Sequence, residues 1–320
     1  MDALLAALGD EISDHNEEAF LVFSQPIPSS NLGFVDSKAQ VLELRVAGRD
    51  LTIHQSPAVL ASNRAEGTTG AVVWKVTPQF AEWIASGSNM LFQTGVLGRD
   101  ATVLELGCGV SGVVGLALAS KIERYIATDQ DYVLKLLRQN IAENSPSPTS
   151  TTKGGNRRGK PKRQHGPGSE TTAAANIDAL ALDWEEDDLN ALPALLGQSP
   201  QSPERGLDAV IACDCIYNDA LIHPLVNTCA ELCTLRFNSD LENDDGSEKP
   251  TVCIVAQQLR SAEVFEAWLE AFMGRFRVWR VPDRLLTEGL REGKGFVVHV
   301  GVLRSCIVGG RKVLNWRVER

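Results

Sequence analysis

Four acids, Glu105, Asp129, Asp183 and Asp214, each close a short apolar run, and each stands beside a group suited to holding a ligand. The sharpest local feature is Glu105-Leu-Gly107-Cys108-Gly109-Val-Ser-Gly112. Its glycines allow the backbone to approach a ligand where a Cβ would clash, and the helix expected to follow aims its first amides at it. The spacing also satisfies the dinucleotide fingerprint G-x-G-x-x-G, and a tight turn with no ligand has the same appearance. Glu105 separates these readings. A carboxylate two residues ahead of the first glycine repels a pyrophosphate and attracts a cation, such as an ammonium or a sulfonium. Asp129, one residue past the next apolar run, is placed to accept both hydroxyls of a ribose. Asp183-Trp184 offers an acceptor for an exocyclic amine and a flat apolar surface for a base, although Trp184 as a core residue fits equally well. Asp214-Cys-Ile-Tyr217 puts a carboxylate and a phenol where a substrate enters an open α/β sheet, with a helix cap as the competing reading of Asp214. The chemistry these residues suit is the holding of a cationic nucleoside and its presentation to a second substrate.

Such residues need elements to bring them together. From 102 onward strand-like and helix-like segments alternate. Strands are expected at 102–106, 124–128, 177–184, 207–214, 251–258, 276–281 and 296–304, with helices over 111–120, 131–143, 220–233 and 262–273. This alternation predicts an α/β fold, a doubly wound and mostly parallel seven-stranded sheet. No helix-length segment separates the last two strands, so they close it as a C-terminal antiparallel hairpin. Upstream, 41–54 alternates around Ala-Gly-Arg-Asp and reads as a β-hairpin, while 75–86 places Val76, Phe80, Trp83 and Ile84 on one helix face. Leu4, Leu5 and Leu8 suggest a short terminal helix. The expected organisation is an N-terminal extension over 1–90, a catalytic domain over 91–304 and an unassigned tail over 305–320. Two inserts interrupt the domain. Residues 145–175 hold six bases against Glu170 alone, net +5, and are expected to be disordered; 236–250 reads as an acidic surface loop. In a parallel sheet the four acid-bearing strand ends share one edge, and this coincidence carries more weight than any one motif.

Composition narrows the partners. The 320-residue chain is 43% hydrophobic, enough for a sizeable core, and carries a net charge of −10. An acidic enzyme suits a basic protein partner better than nonspecific nucleic acid, which is expected to meet only the basic insert. No run approaches the roughly 20 apolar residues of a membrane span, and the acidic N-terminus does not read as a secretory leader. Seven cysteines, mostly in apolar runs, fit a reducing interior rather than a disulfide framework. Cys213-x-Cys215 and Cys229-x₃-Cys233 lack partners at metal-finger spacing, so no metal is expected.

These motifs resemble the class I, seven-β-strand methyltransferases, and more narrowly the methyltransferase-like protein-lysine methyltransferases of eukaryotes. VLELGCGVSGVVGLALA is similar to their first motif, Ala127-Thr-Asp129 to the acidic second motif, and Leu182-Asp183-Trp184 to the adenine-side segment. Asp214-Cys-Ile-Tyr217 resembles the D-x-x-Y element of the lysine-modifying group. Gly67-Thr-Thr-Gly70-Ala-Val-Val-Trp74 resembles a segment whose tryptophan borders the cofactor, and Ala256-Gln-Gln-Leu-Arg260 a further family element. The run 74–83 is most similar to the fungal ribosomal lysine N-methyltransferase 5 subgroup, although many relatives carry an acidic or small residue where this chain has Lys75. The resemblance implies S-adenosylmethionine as cofactor, held by Trp74, Glu105, Gly107, Cys108, Gly109, Asp129, Asp183, Trp184 and Ala212, with Asp214 and Tyr217 as the catalytic pair. It implies monomethylation of a large-subunit ribosomal protein by a monomer in the cytoplasm, with the nucleus as a second location. Two other readings remain: a methyltransferase acting on RNA or another non-lysine substrate, and an NAD-binding oxidoreductase, which Glu105 and the terminal hairpin disfavour.

Overall fold

The computed structural model describes residues 1–28, 33–62, 67–145, 176–187, 189, 192, 206–238, 249–308 and 311–314. Its first elements are helices α1 (Asp2–Leu8) and α2 (His15–Phe23), then strands β1 (Val41–Val46) and β2 (Arg49–His54). The strands pair antiparallel from Val41↔His54 to Val46↔Arg49. Ala47 and Gly48 turn the chain with φ of 50° and 74°, the two positive values that a tight hairpin turn requires. Three helices follow: α3 (Pro57–Leu60), α4 (Val76–Ile84) and α5 (Met90–Gln93). The four apolar residues expected on the face of α4 are all buried.

The sheet comprises β3 (Thr102–Leu106), β4 (Arg124–Asp129), β5 (Ile177–Ala181), β6 (Ala209–Cys213), β7 (Val252–Gln258), β8 (Phe276–Arg280) and β9 (Phe296–Leu303). Spatial order is β5-β4-β3-β6-β7-β9-β8, and only β9 runs against its neighbours. The connecting helices are α6 (Val113–Leu118), α7 (Asp131–Asn144), α8 (Ile222–Asn238) and α9 (Ala262–Arg275). Alternating strand residues feed a core on each face. Val103 joins α4, α6, α7 and the hairpin on one side, and Leu104 and Leu106 join α2, α8 and α9 on the other. This is the seven-stranded α/β architecture expected from the alternation of segments.

The extension is tied to the sheet by polar contacts as well as by packing. From α7, Asn144 Oδ1 accepts from Thr52 N at 2.9 Å and Asn140 Oδ1 from His54 N at 2.8 Å, so the backbone of β2 is satisfied without a third strand. Asn140 Nδ2 also donates to the Val110 carbonyl at 2.7 Å, linking the hairpin's anchor to the glycine turn. Several boundaries differ from expectation. The strands expected over 177–184 and 207–214 end at Ala181 and Cys213, where the chain leaves the pleat to form the rim. The helix expected over 220–233 runs to Asn238, so the start of the anticipated acidic loop is helical. The tail forms β10 (Ser305–Val308) and β11 (Arg311–Leu314), an antiparallel pair. Residues 146–175 and 239–248 lie outside the described residues, so the insert and most of the acidic loop do too.

Candidate active site

Strand β3 delivers its carboxyl end to a turn in which Gly107 and Gly109 have φ of 64° and 65°. Space as well as backbone angle demands glycine here. A Cβ on Gly107 would stand 2.8 Å from Cys215 Sγ and 3.2 Å from the Trp184 ring. One on Gly109 would stand 3.1 Å from the Gly70 carbonyl, which accepts from Val110 N at 2.8 Å. Gly70 therefore closes over the turn from the extension. Beneath it lies a cavity of about 510 Å³, within the range of small-molecule sites.

Glu105, Asp129, Asp183 and Asp214 all line this cavity, and among the described residues no Lys, Arg or His does. Glu105 is 2% exposed, and its carboxylate accepts from the Tyr125 hydroxyl at 2.6 Å. Burial pushes its pKa up to about 7, and the Tyr125 hydrogen bond offsets only part of the rise. Asp129 accepts from Gly109 N at 2.7 Å and Gln130 N at 2.8 Å, yet burial still raises it to about 6. Each Asp129 oxygen retains a lone pair for a ligand hydroxyl. One buried and one half-buried acid with no cation in the cavity lining among the described residues are costly by themselves and fit a ligand that carries the positive charge.

The sequence-derived residues do not all behave as expected. Trp74, Gly107, Cys108, Gly109 and Trp184 line the cavity together with the four acids. Ala212 does not: it is fully buried in the core shared with α8 and α9, and the next residue, Cys213, faces the cavity instead. The pleat decides this, because neighbours on a strand face opposite ways. Asp214 also departs from a simple picture. Its side chain is 1% exposed, and its two oxygens accept from Arg260 Nη1 at 2.8 Å and Nη2 at 2.5 Å. Oδ1 further accepts from Gln258 N at 3.1 Å, and the residue has a φ of 63°. Helix α8 starts only at Ile222, so Asp214 caps no helix. The charge expected to await an ammonium is already met by a guanidinium.

Arg260 connects the acceptor end of the site. Its guanidinium lies 4.7 Å from the Trp74 ring, and the Phe34 ring lies 4.4 Å from the same indole. Trp74 Nε1 donates to the Thr69 carbonyl at 3.0 Å, and the Thr69 hydroxyl lies 3.3 Å from that of Tyr217. Tyr217 is 42% exposed at the mouth, and burial of the remainder raises its hydroxyl's pKa. Gly70, Ser111, Tyr132, Cys213 and Cys215 also line the cavity, and none was singled out as a site residue from sequence. Gly70, Ser111 and Cys215 stand within recognised segments and Cys213 directly precedes one, whereas Tyr132 carries no local signal.

The fold and site together define a Rossmann-like methyltransferase, a class whose methyl donor is S-adenosylmethionine. A family model described as lysine methyltransferase matches residues 54–153. The ribosomal lysine N-methyltransferase 5 of Zygosaccharomyces rouxii is 32% identical over 238 residues, covering 69% of this chain and 70% of that protein. A diaminohydroxyphosphoribosylamino-pyrimidine deaminase of Schizosaccharomyces pombe is 25% identical over 272 residues, covering 84% of this chain and 53% of that longer protein. This chain has no Cys-x-x-Cys, which zinc deaminases require, and its described residues contain no cluster of three or more metal-ligating side chains. Among solved structures, the N-methyltransferase NodS of Bradyrhizobium japonicum overlaps at a TM-score of 0.40 with 9% identity, covering 77% of this chain and 95% of that one. The chain belongs to the ribosomal lysine N-methyltransferase 5 family of protein-lysine N-methyltransferases. Among the described residues no helix is long and apolar enough to cross a membrane.

Proposed function

We propose that this chain transfers one methyl group from S-adenosylmethionine to a lysine of a large-subunit ribosomal protein, acting as a monomer in the cytoplasm with access to the nucleus. The observation that carries the reading is the cavity itself: five acids (Glu105, Asp129, Asp183, Glu185 and Asp214), no lining base among the described residues, and Tyr217 in the wall beside Asp214, which Arg260 neutralises. In this reading Glu105 favours the donor's positive groups and Asp129 receives its ribose hydroxyls. Asp183 and Trp184 take the adenine, and the backbone of Gly107, Cys108 and Gly109 gives the ligand room. Residues 1–90 serve the site as well as the fold, because Gly70 and Trp74 come from them. The donor supplies a methyl already activated by a positive sulfur, so the protein need only align and desolvate.

The acceptor amine must be neutral to attack. At pH 7 only on the order of one lysine in a thousand is neutral in water. A mouth built from Trp74, Tyr217 and a neutralised Asp214 strips water without offering a bare anion. Desolvation then favours proton release. Asp214 with Arg260 positions rather than deprotonates, and Tyr217 walls the amine. The ribosomal target rests on the names of the relatives and on the acidic net charge. The test is incubation of labelled donor with a ribosomal extract, followed by mass spectrometry of the labelled protein. A single monomethyl-lysine on a large-subunit protein is expected; donor binding with no labelled lysine, or label confined to RNA, would sink the reading.

A further inference from the structure

A second, smaller cavity of about 50 Å³ lies beside the acceptor mouth, and Tyr217 lines both. Phe23 of α2, Ile216, Leu259, and Val264 and Phe265 of α9 form its apolar side, and Gln258, Arg260 and Ser261 form a polar one. Gln257 also lines it. Along β7, Cys253 and Val255 face the core shared with α8 and α9, so Gln257, two residues further on, faces the same way, toward Ile216 and Phe265. Gln257 is 2% exposed, and its Nε2 has no hydrogen-bond partner. Buried donors are nearly always paired, so an unpartnered donor on a residue lining a cavity beside the substrate mouth points to an acceptor that arrives with the substrate.

We propose that this notch receives a small aliphatic side chain of the protein substrate, within two positions of the target lysine, while a main-chain carbonyl of the same segment accepts from Gln257 Nε2. The inference rests on the lysine-methyltransferase reading above and adds a specificity subsite to it. A water needs roughly 10–15 Å³ of such space, so the notch holds a group of about alanine to valine size. An extended segment presents alternate residues on one face about 6.5 to 7 Å apart, which lets one side chain enter on each side of a phenol ring. The Asp214–Arg260 pair stands at the same partition, with Arg260 lining the notch and Asp214 the donor cavity.

Val264 is the residue to vary, because it is half-buried in the first turn of α9 and leaves the β7 strand untouched. Wild type, Val264→Trp and Val264→Ala would be incubated with donor and two acceptors, a lysine-centred peptide library with randomised flanks and a ribosomal extract. Mass spectrometry reads the flanks of methylated lysines, and donor titration and melting curves run in parallel. The wild type should enrich alanine or valine several-fold at one flanking position. Val264→Trp, which fills the notch, should erase that enrichment and raise the half-saturating acceptor level about tenfold, with the donor midpoint within twofold. Val264→Ala should shift the enrichment toward leucine and isoleucine. Random flanks in the wild type, or enrichment retained in Val264→Trp, overturns the notch alone. If only the extract protein is labelled, an unchanged half-saturation in Val264→Trp overturns it. If the wild type binds donor but methylates neither acceptor, the lysine reading itself fails.

Discussion

The two ends of the active-site cavity solve one electrostatic problem in opposite ways. At the donor end Glu105 is buried and Asp129 half-buried, both with hydrogen bonds but no cation in the described lining, and loss of solvent holds them at about 7 and about 6. At the acceptor end Asp214 is buried as deeply, yet Arg260 grips both its oxygens. A buried carboxylate needs a positive partner, supplied either by a ligand or by the chain. In the proposed reading the donor brings its own charge, so unmet acids there become affinity. The acceptor must lose its charge to react, so a bare anion beside it would hold it in the wrong protonation state.

Breaking the acceptor end should have the largest effect. Asp214→Ala strands Arg260 and unsettles the Trp74 wall, and methyl transfer should fall on the order of 100-fold or more. Donor affinity should stay within about threefold; paired donor titrations and single-turnover rates separate the two, and loss of donor binding would erase the distinction between the ends. Arg260→Met is the next largest perturbation, because it turns the acceptor end into a copy of the donor end. Transfer should drop roughly tenfold. The ascending limb of kcat/KM against pH should also move upward, since a bare Asp214 now favours the ammonium form of the substrate. An unmoved limb with a lower plateau would reduce Arg260 to scaffolding.

At the donor end Glu105→Gln removes one unmet charge and should weaken donor binding about tenfold, near 1.4 kcal/mol. The same substitution should stabilise the unliganded protein at pH 8. The folded carboxyl titrates near 7 against an ordinary value of 4.5. The folded state therefore keeps a proton that the unfolded state gives up, and stability declines as pH rises from about 4.5 to 7. Glutamine abolishes that decline, worth roughly 3 kcal/mol at pH 8, and melting curves across pH 5 to 8 read it directly. A subtler sign of the same end is proton release. A cation stabilises the ionised acids, so donor affinity should climb through pH 6 to 7 and level off near pH 8, and calorimetry in two buffers of different ionisation enthalpy counts the protons. Tyr217→Phe should matter least, a two- to fivefold loss of transfer, because the hydroxyl's one described contact is 3.3 Å long and the residue is 42% exposed.

Much of the donor end was legible in sequence because its parts are local. Gly107 and Gly109 announce a turn, Glu105 precedes them by two residues, and Asp129 and Asp183 each follow an apolar run. The acceptor end was legible only in part. Asp214 and Tyr217 stand in one short motif, but the partner of Asp214 lies 46 residues away on the next strand's exit. That arginine closes the segment Ala256-Gln-Gln-Leu-Arg260, whose pattern marks it but does not say which acid it meets. Ala212 was misplaced for a different reason: motif position names the strand end, while the pleat chooses the face, and the sides exchange with every residue.

By itself the sequence determined the alternation of strands and helices, the closing antiparallel pair and the glycine turn, because period, length and positive φ are properties of neighbouring residues. Tertiary structure alone decided that Gly70 caps that turn, that Asn140 and Asn144 satisfy the hairpin's edge, that Arg260 neutralises Asp214, and that Gln257 is left with an unpaired amide nitrogen. Those are questions of which charge or hydrogen-bonding group meets which, and they are settled only when strands distant along the chain share a rim.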